Sequence, residues 1–84
     1  MKEEKTRFFG DWAVSVRPRS NHEGKKIWVL FNGAEVFSYD ERGFRSRSAK
    51  FKFTQKYVSS NEVANIIPQE VIDATREEFE NANN

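Results

Sequence analysis

Cysteine is absent from the 84 residues, which excludes disulfides and any thiolate that would hold a metal or attack a substrate. The four glycines are isolated from one another, so no glycine-rich phosphate loop exists. The single histidine, His22, lies in the polar cluster Ser20-Asn21-His22-Glu23-Gly24. It has no thiolate or carboxylate partners at ligand spacing, so it reads as a loop histidine rather than a metal ligand. No serine sits in a nucleophile elbow. The adjacent acids Asp40-Glu41 and Glu77-Glu78 read as solvated pairs rather than poised acid and base. A chain this short rarely encloses a pocket of several hundred Å³. The expectation is a protein that is not an enzyme and carries no cofactor and no metal. No stretch approaches the roughly 20 apolar residues of a membrane span. The segment from Met1 to Arg7 is charged with no apolar run behind it, so no secretory signal is read and a cytoplasmic location is expected.

What the chain does have is charge and aromatic rings. Thirty-seven per cent of residues are hydrophobic and 32 per cent charged, a composition that leaves few residues for a core. Twelve aromatics offset this, since each buries a large area. The length suits a single domain over residues 1–84, with frayed ends at 1–6 and 81–84. The formal net charge of +1 hides a separation. Between Arg17 and Lys56 ten basic residues face four acidic ones. From Tyr57 onward Arg76 alone opposes six acids: Glu62, Glu70, Asp73, Glu77, Glu78 and Glu80. A basic middle and an acidic tail make mean charge a poor guide to partners.

Residues Trp12 to Arg17 alternate apolar and polar, the period of a half-buried strand, and Pro18 ends it. Lys26 to Phe31 is β-branched and aromatic, a second strand. Asn32-Gly33 then gives the strongest short hairpin signal, so Ala34 to Tyr39 is the partner strand. Asp40 to Gly43 reads as a turn, and Phe44 to Val58 as a fourth strand with a break near Ser46 to Ala49. Helix signals start at Ser59, whose spacing to Glu62 fits a capping box. That helix stops before Pro68, which opens a second helix with Ile72, Thr75 and Phe79 on one face. The expected fold is α+β: a four-stranded antiparallel β-meander followed by a C-terminal helix, broken at Pro68 and packed on one sheet face.

Counting outward from Asn32-Gly33 pairs Phe31 with Ala34, Val29 with Val36 and Ile27 with Ser38. The other face then pairs Leu30 with Glu35, Trp28 with Phe37 and Lys26 with Tyr39. Ile27, Val29, Phe31 and Val36 join Trp12, Val14, Val16, Phe51, Phe53 and Tyr57 beneath the helix. Trp28, Phe37 and Tyr39 are left on the opposite face beside Lys26, Ser15, Arg17, Lys50, Lys52, Thr54 and Lys56.

Rings interleaved with cations on an open sheet are what a single-stranded nucleic acid requires, because bases stack while phosphates meet positive charge. The candidate contributors are Arg17, Arg19, Lys26, Trp28, Phe37, Tyr39, Arg45, Arg47, Lys50, Lys52 and Lys56, and the expected partner is single-stranded nucleic acid or RNA. Arg17, Arg19, Arg45 and Arg47 are also candidates for reading guanine in a duplex. In this respect Gly10-Asp11-Trp12-Ala13-Val14 and Gly43-Phe44-Arg45-Ser46-Arg47 resemble plant-type and integrase-type three-stranded DNA-binding domains over about half the chain. Those domains continue from the third strand into a long helix, whereas here Asp40 to Gly43 reads as a turn, so no family is assigned. The alternative is an adaptor or inhibitor that binds a partner protein through Trp28 and Phe37. A second route to the same role is the acidic helix, with Glu70, Asp73, Glu77, Glu78 and Glu80 imitating a phosphate backbone. The same aromatic face also suits a second small core or a homodimer contact.

Overall fold

The Asn32-Gly33 turn is where the fold declares itself. Both residues have positive φ, 52° and 85°, the combination of a type I′ turn, whose twist matches that of the strands it joins. In the computed structural model, which describes residues 5–20, 23–51 and 56–84, this hairpin is the centre of a six-stranded antiparallel meander. The strands are β1 (Lys5–Phe9), β2 (Trp12–Pro18), β3 (Lys25–Phe31), β4 (Ala34–Asp40), β5 (Gly43–Ser46) and β6 (Tyr57–Val58). They lie in the sheet in chain order. A 3₁₀ turn, Ala49–Phe51, lies between β5 and β6, and the helices α1 (Ser60–Val63) and α2 (Gln69–Ala82) follow. The molecule is an α+β domain, and among the described residues no helix is long and apolar enough to cross a membrane.

Four differences from the sequence expectation have physical causes. First, Lys5–Phe9 is a strand, pairing Arg7 with Val14 and Phe9 with Trp12. Two of its three inward positions, Lys5 and Arg7, are charged, so it lacks the apolar alternation that marks a strand in sequence. Lys5 and Thr6, expected to fray, are inside it. Second, the expected fourth strand is two short ones. The break falls at Arg47, whose backbone N–H turns back to donate to the carbonyl of Val36 (2.8 Å). Phe53 and Thr54 lie outside the described residues. Third, Pro68 is the N-cap of α2 rather than its first helical residue, one position earlier than expected. Fourth, the end of the chain is tied down. The Asn83 side chain accepts from the Lys25 backbone N–H (2.8 Å) and donates to the Lys25 carbonyl (3.1 Å). The capping box at Ser59 and Glu62 is present in both directions.

The correction that matters most for function is in register. Phe31–Ala34 and Leu30–Glu35 pair as counted, but the register shifts between Val29 and Leu30. Beyond it Val29 opposes Phe37, Trp28 opposes Ser38 and Ile27 opposes Tyr39. One extra residue in β4 moves every later side chain to the other face. Phe37 is therefore fully buried, and Val36 remains in the core beside it. Tyr39 also moves beneath the helix, its ring 4.7 Å from Phe44 and 5.5 Å from Phe79 of α2. Burying the rings of Phe37 and Tyr39 on the core side, where the unshifted register would put the polar Ser38, favours the bulge.

The core thus lies on one side of the sheet. Val14, Val16, Ile27, Val29, Phe37, Phe44 and Val58 pack against Val63 and Ile67 and against Val71, Ile72 and Ala74 of α2. At its open end Phe51 bridges Trp12, Phe31 and Phe37, with ring centroids 5.8–6.1 Å apart. Gly43 is required where β5 meets β6. Its φ is +107°, and a Cβ there would sit 2.9 Å from the Val58 carbonyl oxygen, so any side chain would push the last strand off the sheet.

Phe37→Ala is expected to lower unfolding stability by about 3–5 kcal/mol, the cost of an emptied aromatic site in a core. Trp28→Ala, on the other face, is expected to cost less than half as much. Urea denaturation of the two variants checks this, and the reverse order would contradict the shifted register.

Candidate nucleic-acid interface

The sheet face away from α2 is built around Trp28. Its cross-strand neighbours are Ser15 on β2 and Ser38 on β4, both buried and both small. Small flanking residues leave room for long side chains from farther out to lie against the ring. The guanidiniums of Arg17 and Arg47 come to 5.6 and 5.2 Å from the ring centroid, and the ammonium of Lys26 to 5.6 Å. Each such contact is worth about 0.5–1 kcal/mol at an exposed site. Arg17 is fixed further by Nε–H donation to Ser15 Oγ (3.2 Å) and by an ion pair with Glu35. Thr6 of β1 donates to the same Ser15 hydroxyl (3.3 Å).

A second cluster surrounds Tyr57 on β6. Arg42 lies 4.5 Å and Arg45 5.7 Å from its ring centroid. The phenol donates to Asp40 Oδ2 (3.3 Å), while the Arg42 backbone N–H donates to Asp40 Oδ1 (2.9 Å). Asp40 is consequently buried, not solvated as its place in a turn sequence suggested. Its neighbour Glu41 remains exposed and pairs with Arg19. Its own backbone amide, and then Arg19, hold the Glu41 carboxyl below the usual carboxylate range. A cavity of about 510 Å³ lies here, lined by Arg19, Lys26, Arg45 and Tyr57 among others.

Of the expected contributors, Arg17, Arg19, Lys26, Trp28, Arg45 and Arg47 are brought together on this face. Carboxylates occupy Arg17, Arg19 and Arg42. Lys26, Arg45 and Arg47 meet aromatic rings and no carboxylate among the described residues. Phe37 and Tyr39 are not on the face, having crossed to the core with the bulge. Lys50 is displaced as well, since its 3₁₀ turn sets the ammonium 5.1 Å from the Phe31 ring, at the end of the helix-side core. Lys56 is exposed beside β6, and its carbonyl accepts from the Ser46 N–H (3.4 Å). Lys52 and His22 lie outside the described residues. Sequence reasoning missed two members. Tyr57 was expected in the core, and Arg42 looked like an ordinary turn residue. The alternation read from Lys50 to Tyr57 put Tyr57 with the core residues, whereas its pairing with Arg45 sets it on the outward side of β6, next to the turn that carries Arg42.

The acidic helix also divides. Glu70, Asp73, Glu77 and Glu80 are exposed, and Asp73 accepts from Gln69 (2.9 Å). Glu78 is buried and pairs with Lys5 (3.2 Å) and Arg7 (2.9 Å) of β1, while Glu77 reaches Arg7 at 3.5 Å. Glu78 is thus a structural clamp rather than part of a solvated acidic surface. Among the described residues no group of three or more His, Cys, Asp or Glu is placed to hold a metal.

Comparison with known protein families, with curated proteins and with solved structures returns no match.

Burial raises the Glu78 carboxyl, but hydrogen bonds from Arg7 and Lys5 outweigh it and hold the pKa below its ordinary value of 4.5. A carboxylate lowered by folding contributes stability above its unfolded pKa and loses it as pH falls through the folded value. Glu78→Gln is therefore expected to destabilise at pH 7 by about 1–3 kcal/mol. The gap from the unaltered protein should close below about pH 4.5. Thermal unfolding across that range checks it, and a gap that stays constant with pH would contradict the clamp.

Proposed function

We propose that this protein is a non-enzymatic module that binds single-stranded nucleic acid across the sheet face opposite α2. The observation that carries the reading is Trp28, half-buried on an uncovered face with three cations against its ring. Rings and guanidinium planes both accept a stacked base, and neither demands a particular base. The face carries Arg17, Arg19, Lys26, Arg42, Arg45 and Arg47 against Glu35, Asp40 and Glu41, so it is positive overall. Lys26, Arg45 and Arg47, which no carboxylate among the described residues meets, are the residues that would meet phosphates. Arg17, held by Ser15 and Glu35, acts mainly by orienting Trp28. Two ring centres, Trp28 and Tyr57, support an extended strand better than a single nucleotide.

The runner-up is an adaptor or inhibitor of a partner protein. Phe37 and Glu78 are taken from it by the core and by the β1 clamp, which leaves Trp28 and the exposed Glu70, Asp73, Glu77 and Glu80. It predicts that protein complexes survive Lys26→Glu and fail with charge reversal on α2.

Fluorescence anisotropy with a labelled single strand at about 50 mM salt tests the first reading, because phosphate contacts release counterions and binding falls steeply as salt rises. Trp28→Ala is expected to cost about 1–3 kcal/mol of binding. Arg47→Glu should weaken binding further and flatten the salt slope. No binding of RNA or DNA strands at that salt would overturn the proposal.

A further inference from the structure

Arg19 and Arg45 line the same cavity, and the Nε of each is buried with no acceptor among the described residues. Buried donors are satisfied in the great majority of cases, and the carboxylates that share this cavity are committed elsewhere. Glu41 takes the Nη2 end of Arg19. Asp40 takes the backbone N–H and Nη2 of Arg42 together with the Tyr57 hydroxyl. Lys26 and Arg45 add two charges that no carboxylate among the described residues meets. The lining therefore holds four cations, Arg19, Lys26, Arg42 and Arg45, against the two carboxylates, an excess of two positive charges.

We infer that this cavity is a site for a terminal phosphate, the phosphomonoester end of a nucleotide, with Arg19 and Arg45 as its donors and Tyr57 as the wall for the attached nucleoside. This rests on the reading of the open face as a nucleic-acid surface. A phosphomonoester carries about −1.5 to −2 charge near pH 7, matching the excess, whereas an internal phosphodiester brings only one. The Nε edge of a guanidinium donates in a planar fork suited to phosphate oxygens. In Arg45 the whole fork is free of carboxylates, and in Arg19 the Nε–H remains. The volume of about 510 Å³ exceeds what a phosphate fills and falls within the range of small-ligand sites, roughly 300–1,000 Å³. The cavity shares Arg19, Ser20 and Lys26 with the groove that leads to Trp28, so a strand anchored by its end would continue onto the ring platform.

The test compares single strands of one sequence ending in a 5′-phosphate, a 3′-phosphate or hydroxyls only. It is combined with NMR titration of the arginine Nε–H resonances by a nucleoside 5′-monophosphate and by inorganic phosphate. One phosphorylated end is expected to bind at least about tenfold tighter than the hydroxyl-ended strand. The nucleotide should shift the Nε–H signals of Arg19 and Arg45 at lower concentration than inorganic phosphate does. Arg45→Gln should bring the ratio between phosphorylated and hydroxyl ends to about one, and Arg19→Gln serves if that variant does not fold. Equal affinity for all three strands with unmoved Nε–H signals overturns the inference. Equal action of inorganic phosphate and nucleotide overturns its nucleotide assignment. Nucleotide shifts without any binding of hydroxyl-ended strands would uphold the cavity and sink the single-strand platform instead.

Discussion

The organisation of both faces depends on one extra residue in β4. With Val36 and Phe37 together opposite Val29, the sheet places its largest fully buried side chains, Phe37 and Phe44, in the core beneath the helix and sets Ser38 opposite Trp28. Had the strands paired without the bulge, Phe37 would face Trp28 and fill the space that Arg17 and Arg47 occupy. Ser38 would point into the core and need a polar partner there. The bulge therefore resolves a conflict between core volume and the composition of the strand. It yields a sheet that is apolar beneath the helix and that carries cations, serines and the rings of Trp28 and Tyr57 on the other side, with Phe8 exposed at its β1 end.

That second side is organised rather than merely charged. Ser15 and Ser38 are short, buried and adjacent to Trp28, and the Ser15 hydroxyl accepts from both Thr6 and Arg17. Arg17 is thereby held at two ends, by Ser15 and by Glu35. A side chain already ordered loses less conformational entropy when a ligand arrives. At Tyr57 the same logic uses Asp40, whose two oxygens are occupied by Arg42 and the phenol. The carboxylates of this face hold arginines in place, and the remaining positive charge has no carboxylate against it among the described residues.

Much of the fold was legible in the sequence because its signals are local. Asn32-Gly33 specified a hairpin, Ser59 with Glu62 specified a helix start, and Pro68 separated two helices, each through backbone chemistry within four residues. The features that escaped notice depend on distant partners. β1 carries Lys5 and Arg7 on its inward face, tolerable only because Glu78 and Glu77 arrive from α2, some seventy positions later. The bulge at Val36 and Phe37 depends on how well rings pack under a helix that is not yet present in a strand-by-strand count. The site was legible to the same degree: Trp28 with Arg17, Lys26 and Arg47 follows from alternation, while Tyr57 and Arg42 follow only from the pairing of β6 with β5.

The separation of charge along the chain takes on meaning once the two faces are known. An acidic C-terminal helix could have folded onto the basic middle and neutralised it. Instead α2 packs on the apolar side, and two of its acids, buried Glu78 and exposed Glu77, meet the cations of β1 rather than those of β3 to β5. Coulomb attraction between the two halves of the chain is thus satisfied at one edge of the sheet, on the side away from Trp28. Because the sheet itself lies between α2 and the ring platform, the acids of the tail act on that platform only through distance and screening, which weaken beyond about 8–10 Å at physiological salt. The basic face keeps its field, and the helix that holds the core together does not compete with an anionic ligand for it.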